Sequence, residues 1–107
     1  MTFYILRALD YTDEGAQERR MQVRDDHFAY LNPQVEKGFA ICGGAVLDDS
    51  GKMIGSTIVF NCSREELDKY LESEPYVKGK VWEKLEINEY KLGPAFKKEY
   101  FSELAVN

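Results

Sequence analysis

The chain has 107 residues, which fits one domain, and 44% of them are hydrophobic, enough to build one core. Its formal net charge of −5 at pH 7 repels phosphate backbones and anionic lipid surfaces, so we expect neither nucleic acid nor a membrane as a partner. Arg7 interrupts the apolar start before a signal sequence or membrane span is complete, which predicts a cytoplasmic protein.

The first elements in chain order are a strand and a long helix. Residues 2–10 carry apolar side chains on both parities, which is typical of a strand covered on both faces. A helical stretch then begins near Asp13 and runs to Gly38, where glycine favours the end of a helix. Pro33 is expected to kink or divide this helix near its end.

A hairpin follows the helix. Residues 39–47 and 53–60 are predicted as two strands, joined by a tight turn at 48–51. Gly43 and Gly44 lack the spacing of a nucleotide-binding loop, so we expect them at a bulge or a close approach of two backbones.

The last elements are a short helix and a fourth strand. Ser63-Arg64-Glu65-Glu66 has the pattern of a capping box, and this helix is predicted to end before Pro75. Residues 81–90 alternate as a strand, with Trp82 and Ile87 on opposite parities. The aromatic residues within 93–107 are compatible with a short helix or an arm.

This order of elements predicts an α+β fold of the ferredoxin-like βαββαβ type with an antiparallel sheet. Helices cover one face of such a sheet and leave the other open. Because residues 2–10 are apolar on both parities, we expect the open face to pack against a second copy of the chain, which gives a homodimer.

His27 is the only histidine, the residue type best suited to exchange protons near neutral pH. On a helical projection it flanks an apolar stripe that should be buried, and Arg24 lies inside the stripe. Each residue also has a structural interpretation: a partly exposed structural histidine, and an arginine that reaches solvent or forms an ion pair. The stripe consists of Met21, Phe28, Leu31 and Val35.

Other chemistries find little support in the residue types. One histidine and two separated cysteines do not assemble the common zinc ligand sets, although 25–27 could hold a metal weakly, and we expect no metal and no cofactor. Cys42 and Cys62 are interpreted as small buried thiols. Cys42 or Ser56 remains open as a nucleophile activated by His27, but neither lies in a nucleophile elbow.

Four short segments resemble, in order, landmarks of the YCII-related (YciI-like) family. The resemblance covers about residues 2–92 of a single domain, 1–107, and leaves 93–107 as a C-terminal extension. It implies a dimeric α+β barrel with a pocket for a small molecule. The segments are Arg24-x-x-His27, Gly43-Gly44-Ala45-Val46-Leu47-Asp48-Asp49, Gly55-Ser56 and Glu74-Pro75-Tyr76.

The resemblance also implies roles for individual residues. His27 matches the histidine of a catalytic pair, and Glu74 stands where the family has an aspartate before the proline, which lengthens the arm by one methylene. Some relatives are similar to dehydrochlorinases that act on chlorinated hydroxylated aromatics. The residues implied in substrate binding are Arg24, Gly44, Ser56 and Tyr76.

The function that we predict is binding of an organic small molecule, followed by a proton-transfer elimination or another lyase-type step. In that step His27 acts as base or acid, Glu74 orients it, and Arg24 holds an anionic or polar oxygen. Two alternatives remain open. In the first, the chain is a binding module without turnover. In the second, it is an interaction domain whose open sheet face binds another protein.

Overall fold

The computed structural model describes residues 3–96, which form a four-stranded antiparallel sheet and three helices. The strand order is β2-β3-β1-β4. This is the ferredoxin-like βαββαβ arrangement, so the predicted α+β fold is confirmed. The elements are β1 (Phe3–Asp10), α1 (Ala16–Glu36), β2 (Ala40–Leu47), β3 (Met53–Asn61), α2 (Arg64–Glu72), α3 (Pro75–Lys78) and β4 (Trp82–Tyr90), followed by a 3-10 turn (Pro94–Phe96).

Alternating burial along β1 separates a helix-covered face of the sheet from an open face. Leu6, Ala8 and Asp10 are buried, whereas Arg7 and Leu9 between them are exposed. The covered face packs with the helices into one cluster of buried residues. Its fully buried members include Leu6, Phe60, Leu67 and Val81.

Helix α1 runs without a break from Ala16 to Glu36, so of the two predicted effects of Pro33, a kink or a division, the division is wrong. Pro33 lies in the last turn, where the ring removes one backbone hydrogen bond and only three further helical residues follow. Lys37 N donates to Pro33 O at 3.2 Å. Gly38 then adopts a φ of 78°, the left-handed conformation in which glycine ends helices.

The side of α1 that packs inward differs from the predicted one. The apolar positions Met21, Phe28 and Val35 are 48%, 38% and 43% exposed, and of the predicted stripe only Leu31 is partly buried against the core. The expectation of a buried stripe is therefore wrong for the single chain. Arg20 and His27 are buried instead. Both polar side chains have carboxylate partners inside the chain, which removes the cost that normally keeps such groups at the surface.

A bulge in β4 changes which side chains share a face. The pairing of β1 with β4 shifts between Leu9 and Asp10, and Glu83 becomes the extra residue. Trp82 therefore lies on the helix-covered face together with Ile87, although simple alternation had placed the two on opposite faces. The bulge turns the indole of Trp82 toward the helices.

The C-terminal prediction is tested only in part. Residues 94–96 form a single 3-10 turn, and 97–107 lie outside the described residues. Within the described range, no helix has the length and apolar character required to cross a bilayer.

The capping box at the start of α2 is confirmed. Glu66 N donates to Ser63 Oγ at 3.1 Å, and Ser63 N donates to Glu66 Oε1 at 2.9 Å. We expect Ser63→Ala to lower the free energy of unfolding by about 1 kcal/mol, since one helix N–H loses its acceptor. Ligand binding should not change, because the cap is exposed. Chemical denaturation measures this effect, and an unchanged midpoint would contradict it.

Candidate functional site

A cavity of about 380 Å³ lies on the helix-covered side, between α1 and the β2–β3 half of the sheet. That volume is within the usual range of small-molecule sites. Its walls are largely apolar, and polar side chains converge on one part of it. The apolar lining includes Phe28, Leu31, Val35, Ile41, Met53 and Ile58; the polar lining consists of Arg20, Arg24, His27, Ser56 and Tyr76.

Glu74 is positioned by the short helix α3, which was not predicted. Pro75 follows the end of α2 and occupies the first turn of α3. Proline has no backbone N–H, and this carries no cost in the first turn of a helix, where the N–H would have no helical acceptor. Glu74 is the N-cap of this helix, and its Oε1 accepts from Tyr76 N at 3.1 Å. Capping fixes the carboxylate beside His27 in the middle of α1, where it is fully buried.

The structure brings His27 and Glu74 together. His27 Nδ1 lies 2.6 Å from Glu74 Oε1, and Tyr70 Oη donates to Glu74 Oε2 at 2.5 Å. Burial, and next the negative charge of Glu74, raise the pKa of Tyr70 above its usual range, so its hydroxyl stays protonated and donates. Both carboxylate oxygens are therefore held by donors, which fixes the orientation of Glu74.

The hydrogen bond to Glu74 also sets the form of the imidazole. An ionised carboxylate accepts, so it places a proton on Nδ1 of His27 and leaves the Nε2 lone pair free in the neutral ring. Nε2 makes no hydrogen bond to any residue within 3–96, and the ring lines the cavity. Tyr76 stacks on this ring at a centroid distance of 3.9 Å, which restrains its rotation.

A second buried polar cluster was missed in the sequence. Arg20 Nη1 donates to both oxygens of Asp10, at 2.9 and 2.7 Å. Its Nη2 donates to Ser56 Oγ at 3.0 Å and to Gly55 O at 3.3 Å. Trp82 Nε1 donates to the same Ser56 oxygen at 3.1 Å. The cluster therefore joins α1 to strands β1, β3 and β4.

Two signals could have identified this cluster. Arg20 precedes His27 by seven residues, which places both on one face of a helix. Asp10 shares the buried parity of β1 with Leu6, where a carboxylate requires a partner. Tyr76 connects the two clusters, because its ring stacks on His27 and lies 5.0 Å from Arg20 Cζ.

The remaining predicted site residues also line the cavity, at its more open side. Arg24 is exposed, and its guanidinium lies 5.0 Å from the centre of the Phe28 ring. Gly44 is exposed and has space for a side chain. Of the Gly43-Gly44 pair, Gly43 is the one that the fold requires, because a Cβ there would collide with the carbonyl oxygen of Thr57.

The two cysteines differ in environment. Cys62 is buried, and burial, with a smaller contribution from Glu66, raises its pKa to about 11. Cys42 is exposed and lines the cavity, so its predicted burial is wrong. The cavity wall still removes enough hydration to raise the pKa of Cys42, which disfavours a nucleophilic thiolate. Across residues 3–96, no three His, Cys, Asp or Glu side chains gather to hold a metal ion.

The family model of the YCII-related domain matches residues 1–91, and the chain therefore belongs to this family. The predicted resemblance is confirmed. The sequence matches no curated protein.

Solved structures show the same fold at low sequence identity. The 5-chloro-2-hydroxyhydroquinone dehydrochlorinase TftG from Burkholderia phenoliruptrix AC1100, in complex with 2,5-dihydroxybenzoquinone, is 23% identical, with a TM-score of 0.73 over 87% of this chain and 97% of that chain. A NIPSNAP family protein from Agrobacterium tumefaciens is 17% identical, with a TM-score of 0.54 over 88% and 95%. A dimeric ferredoxin-like protein of unknown function from Jannaschia sp. CCS1 is 14% identical, with a TM-score of 0.50 over 86% and 100%.

Proposed function

We propose that the cavity binds a small organic molecule and that His27 moves a proton of this molecule in a lyase-type elimination. The observation that carries the proposal is the buried hydrogen bond of 2.6 Å between His27 Nδ1 and Glu74 Oε1. A histidine whose proton is held on one nitrogen by a carboxylate presents the other nitrogen as a base. Here that nitrogen belongs to a ring in the cavity wall.

The proposed step needs no cofactor. Nε2 of His27 takes a proton from a C–H or O–H group of the bound molecule, and the electrons of the broken bond form a new C=C or C=O double bond as a leaving group departs with its own electron pair. The imidazole becomes an imidazolium, and the negative charge of Glu74 stabilises it. Return of the proton to solvent completes the cycle.

The lining of the cavity indicates a class of ligand. Apolar and aromatic side chains suit one ring, and the polar side chains His27, Ser56 and Tyr76 suit oxygen substituents on that ring. Arg24 at the open side provides a positive charge for an anionic or polar oxygen. The dihydroxybenzoquinone bound by TftG has this character, so it is a suitable first probe.

The test is a titration with 2,5-dihydroxybenzoquinone, followed by an assay of chloride release from 5-chloro-2-hydroxyhydroquinone. Trp82, the only tryptophan, reports binding through its fluorescence, because its ring contacts both His27 and Tyr76. We expect saturable quenching in the wild type. His27→Ala should reduce turnover to a small residual rate and only weaken binding.

Two results would contradict parts of this proposal. Binding without turnover in the wild type would make the chain a binding module, and the catalytic role of His27 would be wrong. If the quinone does not bind, or if His27→Ala leaves its binding unchanged, the cavity is not the ligand site that we propose.

We also propose that the chain is a homodimer joined through the open face of the sheet. Ile5 and Leu9 lie on this face of β1, and Leu9 is 52% exposed in the single chain. The similar Jannaschia protein is described as dimeric. Sedimentation equilibrium at micromolar concentration should give a dimer, and Leu9→Lys should shift it toward monomer. A monomeric wild type would contradict this proposal.

A further inference from the structure

The carboxylate of Glu74 depends on Tyr70 for one of its two oxygens. Glu74 is fully buried, and burial disfavours an ionised carboxylate unless donors surround it. Its Oε1 faces His27 Nδ1 at 2.6 Å and accepts from Tyr76 N at 3.1 Å. Its Oε2 accepts from Tyr70 Oη at 2.5 Å and from no other group within residues 3–96. The Tyr70 hydroxyl is therefore the sole described donor to half of the carboxylate.

The ring of Tyr70 is held by packing. Its side chain is buried, stacks on Tyr30 at a centroid distance of 4.8 Å and contacts the Phe60 ring at 5.3 Å. Tyr70 lies near the end of α2, four residues before Glu74, the N-cap of α3. Because these ring contacts do not involve the hydroxyl, Tyr70→Phe removes the donor and keeps the packing.

The titratable groups around Glu74 come from three helices. His27 and Tyr30 face it from α1, Tyr70 from α2 and Tyr76 from α3. Burial raises the pKa of all three tyrosines above its usual range, so each stays a neutral phenol near neutral pH. The protons that can move are therefore those of the His27–Glu74 pair. The charged side chains near these tyrosines are Asp10, Arg20, Arg24 and Glu72.

The His27–Glu74 pair has two forms that differ by one proton. In the first, a proton lies on Nδ1 of His27, Glu74 is ionised, and Nε2 is free to act as a base. In the second, Nε2 carries another proton and the base is lost. The first form has one net negative charge and the second has none. A donor to Glu74 favours the first form, because a hydrogen bond strengthens with the negative charge on its acceptor.

We propose that Tyr70 is a positioning residue that acts through Glu74 and favours the form of the pair in which Nε2 of His27 is a base. This inference rests on the proposed function, since that form serves a proton transfer at Nε2. Tyr70 does not line the cavity, so its effect on a bound molecule passes through Glu74 and His27.

The test is a pH titration of His27 by nitrogen-15 NMR, which needs no ligand. Without the Tyr70 hydroxyl, the pair should bind its second proton more tightly. We expect the midpoint of the His27 titration to lie about one pH unit higher in Tyr70→Phe than in the wild type, a tenfold change in proton affinity. The acid limb of kcat/KM should move by the same amount for any substrate that the wild type turns over.

Three controls separate the donor from the packing. Tyr30→Phe removes the other hydroxyl of the stacked pair, which donates to the backbone carbonyl of Tyr70, and should leave the midpoint within about 0.2 pH unit. Tyr70→Phe should have no further effect in a Glu74→Gln background, because its acceptor carboxylate is gone. With 3-fluorotyrosine in place of Tyr70 the midpoint should fall, since the fluorinated phenol is a stronger donor.

Several results would overturn the inference. These are a midpoint in Tyr70→Phe that is unchanged or lower, an equal rise in Tyr30→Phe, and a rise that persists in the Glu74→Gln background. Should Tyr70→Phe not fold, the fluorotyrosine variant decides, and an unchanged midpoint in it overturns the inference as well. The expected shifts in a chain that binds and turns over no probe would contradict the proposed function and still support the action of Tyr70 on the pair.

Discussion

Asp10→Ala is expected to lower the free energy of unfolding by about 3–5 kcal/mol, the cost of leaving one member of a buried ion pair without its partner. The side chains of Arg20 and Asp10 are 3% and 8% exposed, and they form two hydrogen bonds. Without Asp10, Nη1 of Arg20 has no acceptor and the charge remains buried. For a domain of ordinary stability this is a large share of the total.

The matched control is Asp68→Ala. It removes the exposed pair of Asp68 with Arg64, which are one helical turn apart at 2.9 Å, and should cost about 0.5 kcal/mol or less. Chemical denaturation of both variants at one protein concentration makes the comparison. Equal losses in the two would show that the Arg20–Asp10 pair does not stabilise the fold in the way that its burial indicates.

Glu74→Gln is expected to lower kcat/KM about 10²- to 10⁴-fold for any substrate that the wild type turns over. The amide has the same shape as the carboxylate, but it cannot balance the charge of an imidazolium at His27. Its NH₂ group can also donate to Nδ1, which moves the ring proton to Nε2, the nitrogen that has to act as the base.

The control for this variant is Glu72→Gln, which neutralises an exposed carboxylate two residues away and should leave kcat/KM unchanged. Because the two residues act as a unit, His27→Ala with Glu74→Gln should be no slower than His27→Ala alone. Losses that multiply in the double variant would mean that His27 and Glu74 act independently.

Periodicity and local signals predicted most of the fold. The alternating strands, the capping box at Ser63 and the glycine after α1 follow from the chemistry of neighbouring residues. The inward face of α1 does not. Arg20 and His27 are buried because Asp10 and Glu74 meet them from other elements, and a helical projection contains no information about such partners.

Irregular backbone accounts for the remaining errors in the fold. The bulge at Glu83 moves the side chain of Trp82 to the opposite face of the sheet. No residue type in that stretch of charged and apolar side chains indicates a bulge. Helix α3 was missed because Pro75 was interpreted only as the end of α2, although proline is also favoured in the first turn of a helix.

The residues of the candidate site were predicted from a family resemblance and not from local sequence patterns. His27 and Glu74 were paired through the resemblance to a family, since they are 47 residues apart and nothing local connects them. Ser56 was named as a lining residue on the same ground. Its oxygen accepts hydrogen bonds from Arg20 and Trp82, and these contacts exist only in the folded chain.

The central claim is that Glu74 holds the proton of His27 on Nδ1 and leaves Nε2 for the ligand. Nitrogen-15 NMR of this single histidine, with and without 2,5-dihydroxybenzoquinone at neutral pH, tests it most directly. We predict that the neutral ring carries its proton on Nδ1 and that the quinone shifts the Nε2 resonance. A neutral ring protonated on Nε2, or an Nε2 resonance that bound quinone leaves unchanged, would contradict the claim.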